Sequence, residues 1–496
     1  MSVIKLRKRI VKLTRLRYIS SLLGWDQQVN MPDGSTQGRS EQIALMESIY
    51  HKKLISRKTG DLIKSVEKES DLGLIEYALL REAKREYERA IKIPKELIVE
   101  IAKTASLGHQ AWEEAKRKSK FDIFKPYLEK MITLQKQYAD KIDKGPTRYD
   151  SLLDKFEPGA TSSWISQIFN ELKPTLIKMV KKIASSQEVP DQSVLKKHYP
   201  PEKQFKFSVE VLKKLQFDFN IGRQDKSTHP FTTSLSSRDV RITTKTVENF
   251  LPPCIFGTIH ECGHALYEMG FMKEIEDTFL ADGASLGIHE SQSRLWENIV
   301  GRSEDFWRYW FPILQKYFPR NLKDTSVRDF YRAINVVQPS FIRIEADELT
   351  YGLHIILRFD LERKLINEDI STSDLPQIWN SKMVELFQIE PPNDAQGVLQ
   401  DVHWSGGLFG YFPTYTLGNL YASQIYNKAI EIYDSLPEMF REGDFSQLHE
   451  FLKENIFQYG RIFRPRELIM KVTGEDLNPN YFINYVKNKF YSIYNL

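Results

Sequence analysis

The feature that most constrains this chain is a pair of histidines four residues apart, His260 and His264, with Glu261 between them. On an α-helix, residues four apart lie about 40° apart around the axis, so both imidazoles can face one metal ion. Glu261 lies about 100° from His260, a position that suits a base acting on a metal-bound water rather than a ligand. With 10 His in the chain, chance produces this pattern in roughly one or two such sequences per hundred. An ordinary amphipathic helix with two unrelated histidines is therefore the alternative.

Helix-breaking residues bracket this motif at a suitable length. Prolines before it and Gly270 after it predict a helix over residues 253–269. Cys262 points roughly 200° away from His260, which argues against a closed four-ligand structural zinc site completed locally. The other cysteine, Cys254, lies eight residues earlier, so helical geometry disfavours a disulfide and favours a reducing compartment.

A third metal ligand must come from elsewhere in the chain. Gly270 stands where one standard pattern needs a third histidine, so that pattern is excluded. The other standard pattern takes a Glu from the next helix, which we expect over residues 283–300. Glu290 lies 26 positions after His264, and Glu297 lies seven further on nearly the same face. Spacing favours Glu290, with Glu297 as the competing candidate.

Composition places the chain among globular proteins and narrows its partners. Of 496 residues, 41% are hydrophobic and 27% are charged, enough for a large core, and the length fits either about three domains or one large helical unit. Net charge is +4, with both signs alternating along the helical segments, which gives no support to nucleic-acid or anionic-membrane binding. The charged stretch 1–10 resembles neither a secretory signal nor a membrane anchor, so we expect a cytoplasmic protein.

Apolar residues at helical spacing, punctuated by Gly and Pro, predict a mainly α fold. The predicted helices cover about residues 6–23, 36–54, 74–90, 94–119, 124–141, 162–182 and 202–217. The first is expected to end at Gly24, with a turn over residues 31–34, and a loop is expected around Tyr149 and Asp150. Alternating β-branched and polar residues around a Ser-Ser turn predict one β-hairpin over residues 229–244, beside the metal-site helix. Residues 185–191 are polar and contain Pro190, so they could separate an N-terminal helical part, 1–185, from a metal-site part, 192–496, within one unit spanning 1–496.

Six short motifs stand in order along the chain. They are His-Pro-Phe at 229–231, Asp239-x-Arg241-x-Thr243, His260-Glu261-x-x-His264, His289-Glu290-Ser291-Gln292, Ile342-Arg343-x-x-Ala346-Asp347 and Gly397-x-x-Gln400-Asp401-x-His403-Trp404. Together and in this order they resemble the M32 family of metallocarboxypeptidases. The resemblance implies a mostly helical cytoplasmic enzyme with a deep, long substrate groove, usually a homodimer. It also implies Glu290, not Glu297, as the third ligand.

Two arginines are candidates for binding the substrate carboxylate. A helix expected from Pro339 to Leu365 would place Arg343 and Asp347 on one face, where a surface ion pair is the ordinary interpretation. A planar guanidinium also suits a carboxylate, and given the resemblance Arg343 is the first choice. Arg241 is the second, because the family's Asp-x-Arg-x-Thr motif is expected to limit the groove.

A histidine and two tyrosines are candidates for stabilising an oxyanion. A lone histidine such as His403 is more often a satisfied buried side chain. It lies near Tyr411 and Tyr415 in sequence, however, and a His/Tyr pair can donate to a tetrahedral oxyanion. We favour Tyr415 as the donor and Tyr411 as a residue lining the site, with the reverse order left open.

The predicted reaction is hydrolysis of the last peptide bond of peptides with a free C-terminal carboxylate. His260, His264 and Glu290 are expected to hold Zn²⁺, or Co²⁺, with one position open to water, and Glu261 to act as the base. Two alternatives stay open: an endo-acting oligopeptidase on the same scaffold, and a non-catalytic helical scaffold stabilised by metal.

Overall fold

The computed structural model describes residues 2–368 and 370–496. Within these ranges the fold is mainly α with one small sheet, as the sequence predicts. The first eight helices are α1 (Ser2–Val29), α2 (Thr36–Leu54), α3 (Arg57–Val66), α4 (Leu74–Lys92), α5 (Lys95–Lys118), α6 (Phe121–Ile142), α7 (Arg148–Leu153) and α8 (Ser162–Ala184). The central elements are α9 (Pro201–Lys214), β1 (Gly222–Lys226), β2 (Thr232–Ser236), β3 (Asp239–Thr244), α10 (Pro252–Met269), α11 (Leu286–Arg294), α12 (Glu304–Tyr317), α13 (Pro319–Leu322) and α14 (Val327–Ala333). The remaining helices are α15 (Glu348–Asn367), α16 (Leu375–Phe387), α17 (Pro413–Ile432), α18 (Leu436–Arg441), α19 (Ser446–Asn455), α20 (Pro465–Thr473) and α21 (Asn480–Tyr494).

The chain folds into two compact units, each built from three separate segments. The first unit comprises Met1–Ile91, Pro190–Ile334 and Tyr421–Leu477, and the second comprises Lys92–Val189, Asn335–Leu420 and Asn478–Leu496. One change of unit falls between Val189 and Pro190, inside the polar stretch singled out in the sequence. The division into parts 1–185 and 192–496 stays a prediction.

The first predicted helix ends too early. The helix end expected at Gly24 is wrong, because α1 continues to Val29. The chain turns only after that, in a short 3₁₀ helix over Asp33–Ser35. A glycine inside a helix is unfavourable by about 1 kcal/mol, and tertiary packing overrides a preference of that size. Here Trp25 is buried, and the guanidiniums of Arg223 and Arg241 lie 5.2 and 4.3 Å from its ring centroid.

The loop expected around Tyr149 and Asp150 is also wrong, since both residues belong to the short helix α7. Thr147 accepts a hydrogen bond from the backbone N–H of Asp150, and the Asp150 side chain accepts one from the N–H of Thr147. This reciprocal capping box starts the helix in a segment too short to show apolar periodicity.

The predicted hairpin is confirmed, and a third strand joins it. The strand order is β1-β3-β2, with β2 antiparallel and β1 parallel to β3. The side chains of Val240 and Ile242 on the central strand β3 are buried. The sequence of β1, Gly-Arg-Gln-Asp-Lys, lacks apolar alternation, so only backbone pairing with β3 identifies it as a strand.

Helix α15 forms the centre of the second unit. Of its 20 residues, 15 are buried, which is typical of a helix covered on all sides. The buried side chains include those of His354, Arg358 and Glu362. Along residues 2–368 and 370–496, the length and apolarity that a helix needs to cross a membrane do not occur together.

Candidate active site

Helix α10 presents the two motif histidines from a well-defined helix. It begins with two prolines in its first turn and ends at Gly270, so the predicted helix is confirmed. The rings of His260 and His264 lie 4.9 Å apart between centroids. Their side chains keep 19% and 16% of their surface exposed, so an ion in solution can reach them.

Helix α11 brings Glu290 to the same place. The hydroxyl of Ser285 caps the start of α11 by accepting from the N–H of Ile288. Nε2 of His260 and Nε2 of His264 lie 3.7 and 3.5 Å from Oε2 of Glu290. One candidate ligand atom from each of the three residues lies within 4.8 Å of the others.

The charge on Glu290 fits a cation at this position. Burial by itself raises the pKa of this carboxyl, but Arg294 and the two histidines outweigh it and hold the pKa well below its usual range. Nε of Arg294 donates to Oε1 at 2.7 Å. An ionised carboxylate with two imidazole nitrogens is the His₂Glu donor set that binds Zn²⁺ in hydrolases, so the residues present fit a divalent metal.

Glu297, the competing candidate, lies behind His260. Its Oε2 is 2.9 Å from Nδ1 of His260, while Nε2 of that ring faces Glu290. A carboxylate only accepts, so Nδ1 carries the ring proton and Nε2 keeps the lone pair that a metal needs. Burial opposes ionisation of Glu297, but His260, Arg294 and Arg302 lower its pKa to about 2.

Glu261 is buried beside strand β2. The hydroxyl of Thr232 donates to its Oε2 at 2.7 Å and to its backbone carbonyl at 3.0 Å. Burial raises the pKa of Glu261, whereas His260 and Thr232 lower it. One oxygen is thus oriented by Thr232.

Arg241 extends from β3 and is already paired within the first unit. Its Nε and Nη2 donate to the two carboxylate oxygens of Asp239 at 2.8 and 2.9 Å. Its guanidinium lies over the ring of Trp25. The charge of Arg241 is therefore balanced and its orientation is restrained by Asp239 and Trp25.

The prediction that Arg343 and Asp347 share a helix face is wrong. Arg343 starts a short 3₁₀ turn that ends at Glu345, and α15 begins only at Glu348. Asp347 is the cap of α15, where its Oδ1 accepts from the N–H groups of Leu349 and Thr350. Because Asp347 is a favourable N-cap, the helix starts after it and Arg343 lies outside the helix. The side chains of Arg343 and Asp347 therefore bind different partners.

In the second unit Arg343 belongs to a buried arginine cluster around Asp401. Nε and Nη2 of Arg343 donate to Oδ1 of Asp401 at 3.0 and 2.8 Å, and Nε of Arg358 donates to Oδ2 at 2.6 Å. Nη1 of Arg343 donates to the hydroxyl of Tyr351. Burial raises the pKa of Asp401, but the two guanidiniums hold it well below its usual range. Two positive charges thus share one negative charge.

His403, Tyr411 and Tyr415 lie together in the same unit. The His403 ring is 5.5 Å from that of Tyr411, which is 5.4 Å from Tyr415. The ring of Tyr415 is in turn 5.2 Å from the guanidinium of Arg343. Burial lowers the pKa of His403 to about 4, although Asp401 opposes this, so the imidazole is neutral at pH 7 and keeps one N–H donor.

Neither Asp401 nor Arg358 is among the site residues predicted from the sequence. Asp401 stands inside the quoted motif with His403, and that adjacency was a usable signal. Arg358 had none, because a charged residue inside an apolar helix is ordinarily placed on its exposed face.

Comparisons with known proteins show which family the chain belongs to. A family model described as carboxypeptidase Taq (M32) metallopeptidase matches residues 5–490. Carboxypeptidase 1 of Bacillus subtilis is 42% identical over 475 residues, which is 96% of this chain and 95% of that protein. Thermostable carboxypeptidase 1 of Thermus thermophilus is 40% identical over 494 residues, covering 97% and 96% of the two chains. The crystal structure of an M32 carboxypeptidase from Deinococcus radiodurans R1 is 35% identical and covers 100% of both chains with a TM-score of 0.98.

These relatives are all named carboxypeptidases, so neither an endo-acting oligopeptidase nor a non-catalytic scaffold is favoured. The match extends over nearly the whole chain, and the sequence identity is high enough to show a shared family and not only a shared fold. The chain belongs to the carboxypeptidase Taq (M32) metallopeptidase family, and it is a metal-dependent carboxypeptidase.

Proposed function

We propose that the enzyme releases single amino acids from peptides with a free C-terminal carboxylate, and that His260, His264 and Glu290 hold its metal. The His₂Glu donor set, with its ligand atoms within 4.8 Å of one another, carries this proposal. Zn²⁺ is the metal that such a set prefers, and Co²⁺ is the alternative. When bound, the metal supplies a Lewis acid that polarises the scissile carbonyl and lowers the pKa of water.

Glu261 is proposed as the general base. The hydroxyl of Thr232 holds its Oε2, which leaves Oε1 to accept a proton from the attacking water. The same carboxyl then delivers that proton to the departing amine. Burial favours this exchange, since it makes the protonated form of Glu261 accessible.

His403 and Tyr415 are proposed to donate hydrogen bonds to the oxyanion, with Tyr411 lining the site. A neutral imidazole keeps a donor at pH 7, and a phenol is a donor over the same range. The ring contacts that join His403, Tyr411 and Tyr415 support a common role.

Arg343 is proposed as the carboxylate anchor, ahead of Arg241. Around Asp401 two guanidiniums share one carboxylate, so a substrate carboxylate would restore charge balance. Arg241, in contrast, is already matched by Asp239 in a two-oxygen pairing. The excess positive charge therefore favours Arg343.

Mass spectrometry of one peptide with a free and an amidated C-terminus tests the proposal. We expect the wild type to release the last residue from the acid and to act poorly on the amide. Arg343→Met should raise KM for the acid by about 10–10²-fold and remove the discrimination, while Asp401 keeps Arg358 as a partner. Arg241→Met should leave the discrimination in place. Equal cleavage of acid and amide by the wild type would contradict the proposal.

The enzyme is further proposed to be a cytoplasmic homodimer that has no nucleic-acid or membrane partner. The family resemblance supports the location and the dimer, and the alternating charges support the absence of polyanion binding. Light scattering after size-exclusion chromatography tests the dimer, and cell fractionation tests the location.

A further inference from the structure

The two candidate histidine ligands are supported differently on the side away from the metal position. His260 contacts the carboxylate of Glu297 directly. Behind His264 lies a second imidazole: Nδ1 of His289 is 2.5 Å from Nδ1 of His264. Nε2 of His289 is in turn 2.7 Å from Oε1 of Glu268. On the Nδ1 side of His264, the carboxylate of Glu268 thus acts through His289.

The direction of the protons in this chain follows from the chemistry of each group. Nε2 of His264 faces Glu290, so it must keep a lone pair to bind a metal, and the ring proton then lies on Nδ1. Nδ1 of His289 must therefore accept, which places the proton of His289 on Nε2. That N–H donates to Glu268, which as a carboxylate only accepts. In this arrangement Nδ1 of His264 donates to His289, and Nε2 of His289 donates to Glu268.

Strand β2 holds the far end of this chain. The hydroxyl of Ser234 lies 3.0 Å from Oε2 of Glu268, the oxygen that His289 does not use. Thr232, two residues earlier on the same face of the strand, donates to Glu261. Because Glu261 and Glu268 are seven residues apart, they share one face of α10. One edge strand therefore contacts both the proposed base and the support of a proposed ligand.

Packing restrains the His289 ring as well. A Cβ added to Gly283 would lie 2.7 Å from Cδ2 of His289, so only glycine leaves room for the ring there. The ring of Tyr267 lies 5.5 Å from the ring of His289. The imidazole is therefore held between Gly283, which precedes α11, and Tyr267 of α10.

We propose that Ser234, Glu268 and His289 form a positioning relay that sets the tautomer and orientation of His264 and thereby raises the metal affinity of the enzyme. Hydrogen-bonded groups behind a metal-binding histidine typically change metal affinity by about 10–100-fold, and here an imidazole transmits that effect. The relay rests on the proposed metal site, and its members are positioning residues that do not touch the reacting atoms.

Metal affinity, measured by competition with a chromophoric chelator, tests the relay in the full-length enzyme. His289→Leu and Glu268→Gln should each weaken Zn²⁺ binding by about 10–100-fold. His289→Gln, which retains one acceptor and one donor, should recover part of the affinity. The visible absorption spectrum of the Co²⁺-loaded protein should shift in His289→Leu and return toward the wild type in His289→Gln.

A double-mutant cycle separates a relay from general loosening. Because Glu268 acts through His289, the double variant E268Q/H289L should bind metal no more weakly than H289L alone. The pair E268Q and E297Q should be additive, since these carboxylates support different ligands. Ser234→Ala, the mildest change, provides a relay variant that keeps every buried ring in place.

His264→Ala is the reference for the metal site itself. If H264A binds Zn²⁺ as tightly as the wild type, the proposed site is wrong and the relay falls with it. If H264A loses the metal while H289L, E268Q and S234A keep wild-type affinity and an unchanged Co²⁺ spectrum, the site stands and the relay is overturned. Additive losses in E268Q/H289L would likewise overturn it.

Discussion

Gly263 of α10 lies directly against the backbone of Gln292 in α11. A Cβ at position 263 would come 2.5 Å from the carbonyl oxygen of Gln292 and 2.7 Å from Cα of Ser293. A Cβ atom does not approach other heavy atoms so closely, so the backbone of α10 or α11 would have to move. The absence of a side chain at 263 therefore allows the helix with His260 and His264 to approach the helix with Glu290.

Gly263→Ala should lower both stability and metal affinity. Overpacking against backbone is unfavourable by about 1–3 kcal/mol, and pushing the helices apart separates Glu290 from the histidines. Gly257→Ala on the same helix is the matched control, because its Cβ would meet only Pro230 at an ordinary 3.6 Å. Chemical denaturation and Zn²⁺ titration of both variants measure the effects. Equal behaviour of the two variants would contradict this account.

Glu261→Gln should abolish most activity without loss of metal. Gln keeps an oxygen that can accept from Thr232 but cannot take a proton from water. We expect kcat to fall by about 10²–10⁴-fold, with metal content by mass spectrometry unchanged. Glu248→Gln, at an exposed glutamate of the same unit, is the control. A wild-type kcat in E261Q would remove Glu261 from the mechanism.

Tyr415→Phe and Tyr411→Phe distinguish the two tyrosines. Loss of one donor to an oxyanion lowers kcat by about 10²–10³-fold, while loss of a lining hydroxyl changes mainly KM. We expect the large kcat effect in Y415F and the small one in Y411F, from steady-state kinetics on one peptide. The reverse result would exchange their roles, and two small effects would exclude both as donors.

Chelation should lower the melting temperature of the wild type. A ligand that binds only the folded state adds about 2.7 kcal/mol of stability at one hundred times its dissociation constant. Scanning calorimetry with excess Zn²⁺ and with a chelator measures this difference. His264→Ala, which lacks one proposed ligand, should melt at the same temperature under both conditions. A wild type that is insensitive to chelation would argue against the site.

Glu362 should make the stability of the enzyme depend on pH. Burial raises its pKa to about 7, although three donors oppose this: the N–H of Gly410, the indole of Trp404 and the hydroxyl of Tyr149. The folded pKa thus lies above the unfolded value of about 4.3. Between these two pKa values the folded state holds a proton on Glu362 that the unfolded state has lost. The contribution of Glu362 to the free energy of unfolding is therefore complete below a pH of about 4.3 and is lost as the pH rises through about 7.

Glu362→Gln does not titrate and should remove that dependence. Between pH 4.5 and 8 the free energy of unfolding of the wild type should fall by roughly 3 kcal/mol relative to the variant. Urea denaturation at several pH values measures both proteins. The exposed Glu368, beyond the end of the same helix, provides the control variant Glu368→Gln. Parallel pH profiles for wild type and E362Q would contradict the assignment.

Agreement between sequence and structure is best where the signal is local. The proline and glycine boundaries of α10 and the exact span of α2 follow from periodicity and helix breakers within each segment. The sequence-based prediction differs from the structure where contacts with residues distant in the chain determine the local conformation. Helix α1 continues past Gly24, where the side chain of Trp25 is buried. Strand β1 is recognisable as a strand only by its pairing with β3.

The sequence by itself determined the mainly α fold, the helix that presents His260 and His264, and the family. These follow from spacing along one helix and from motifs kept in order along the chain. Only the tertiary structure decided the partners: His289 behind His264, and Asp401 rather than Asp347 beside Arg343. The physical reason is that Arg343 and Asp401 are 58 positions apart, and local periodicity carries no information about which buried charges will neutralise each other.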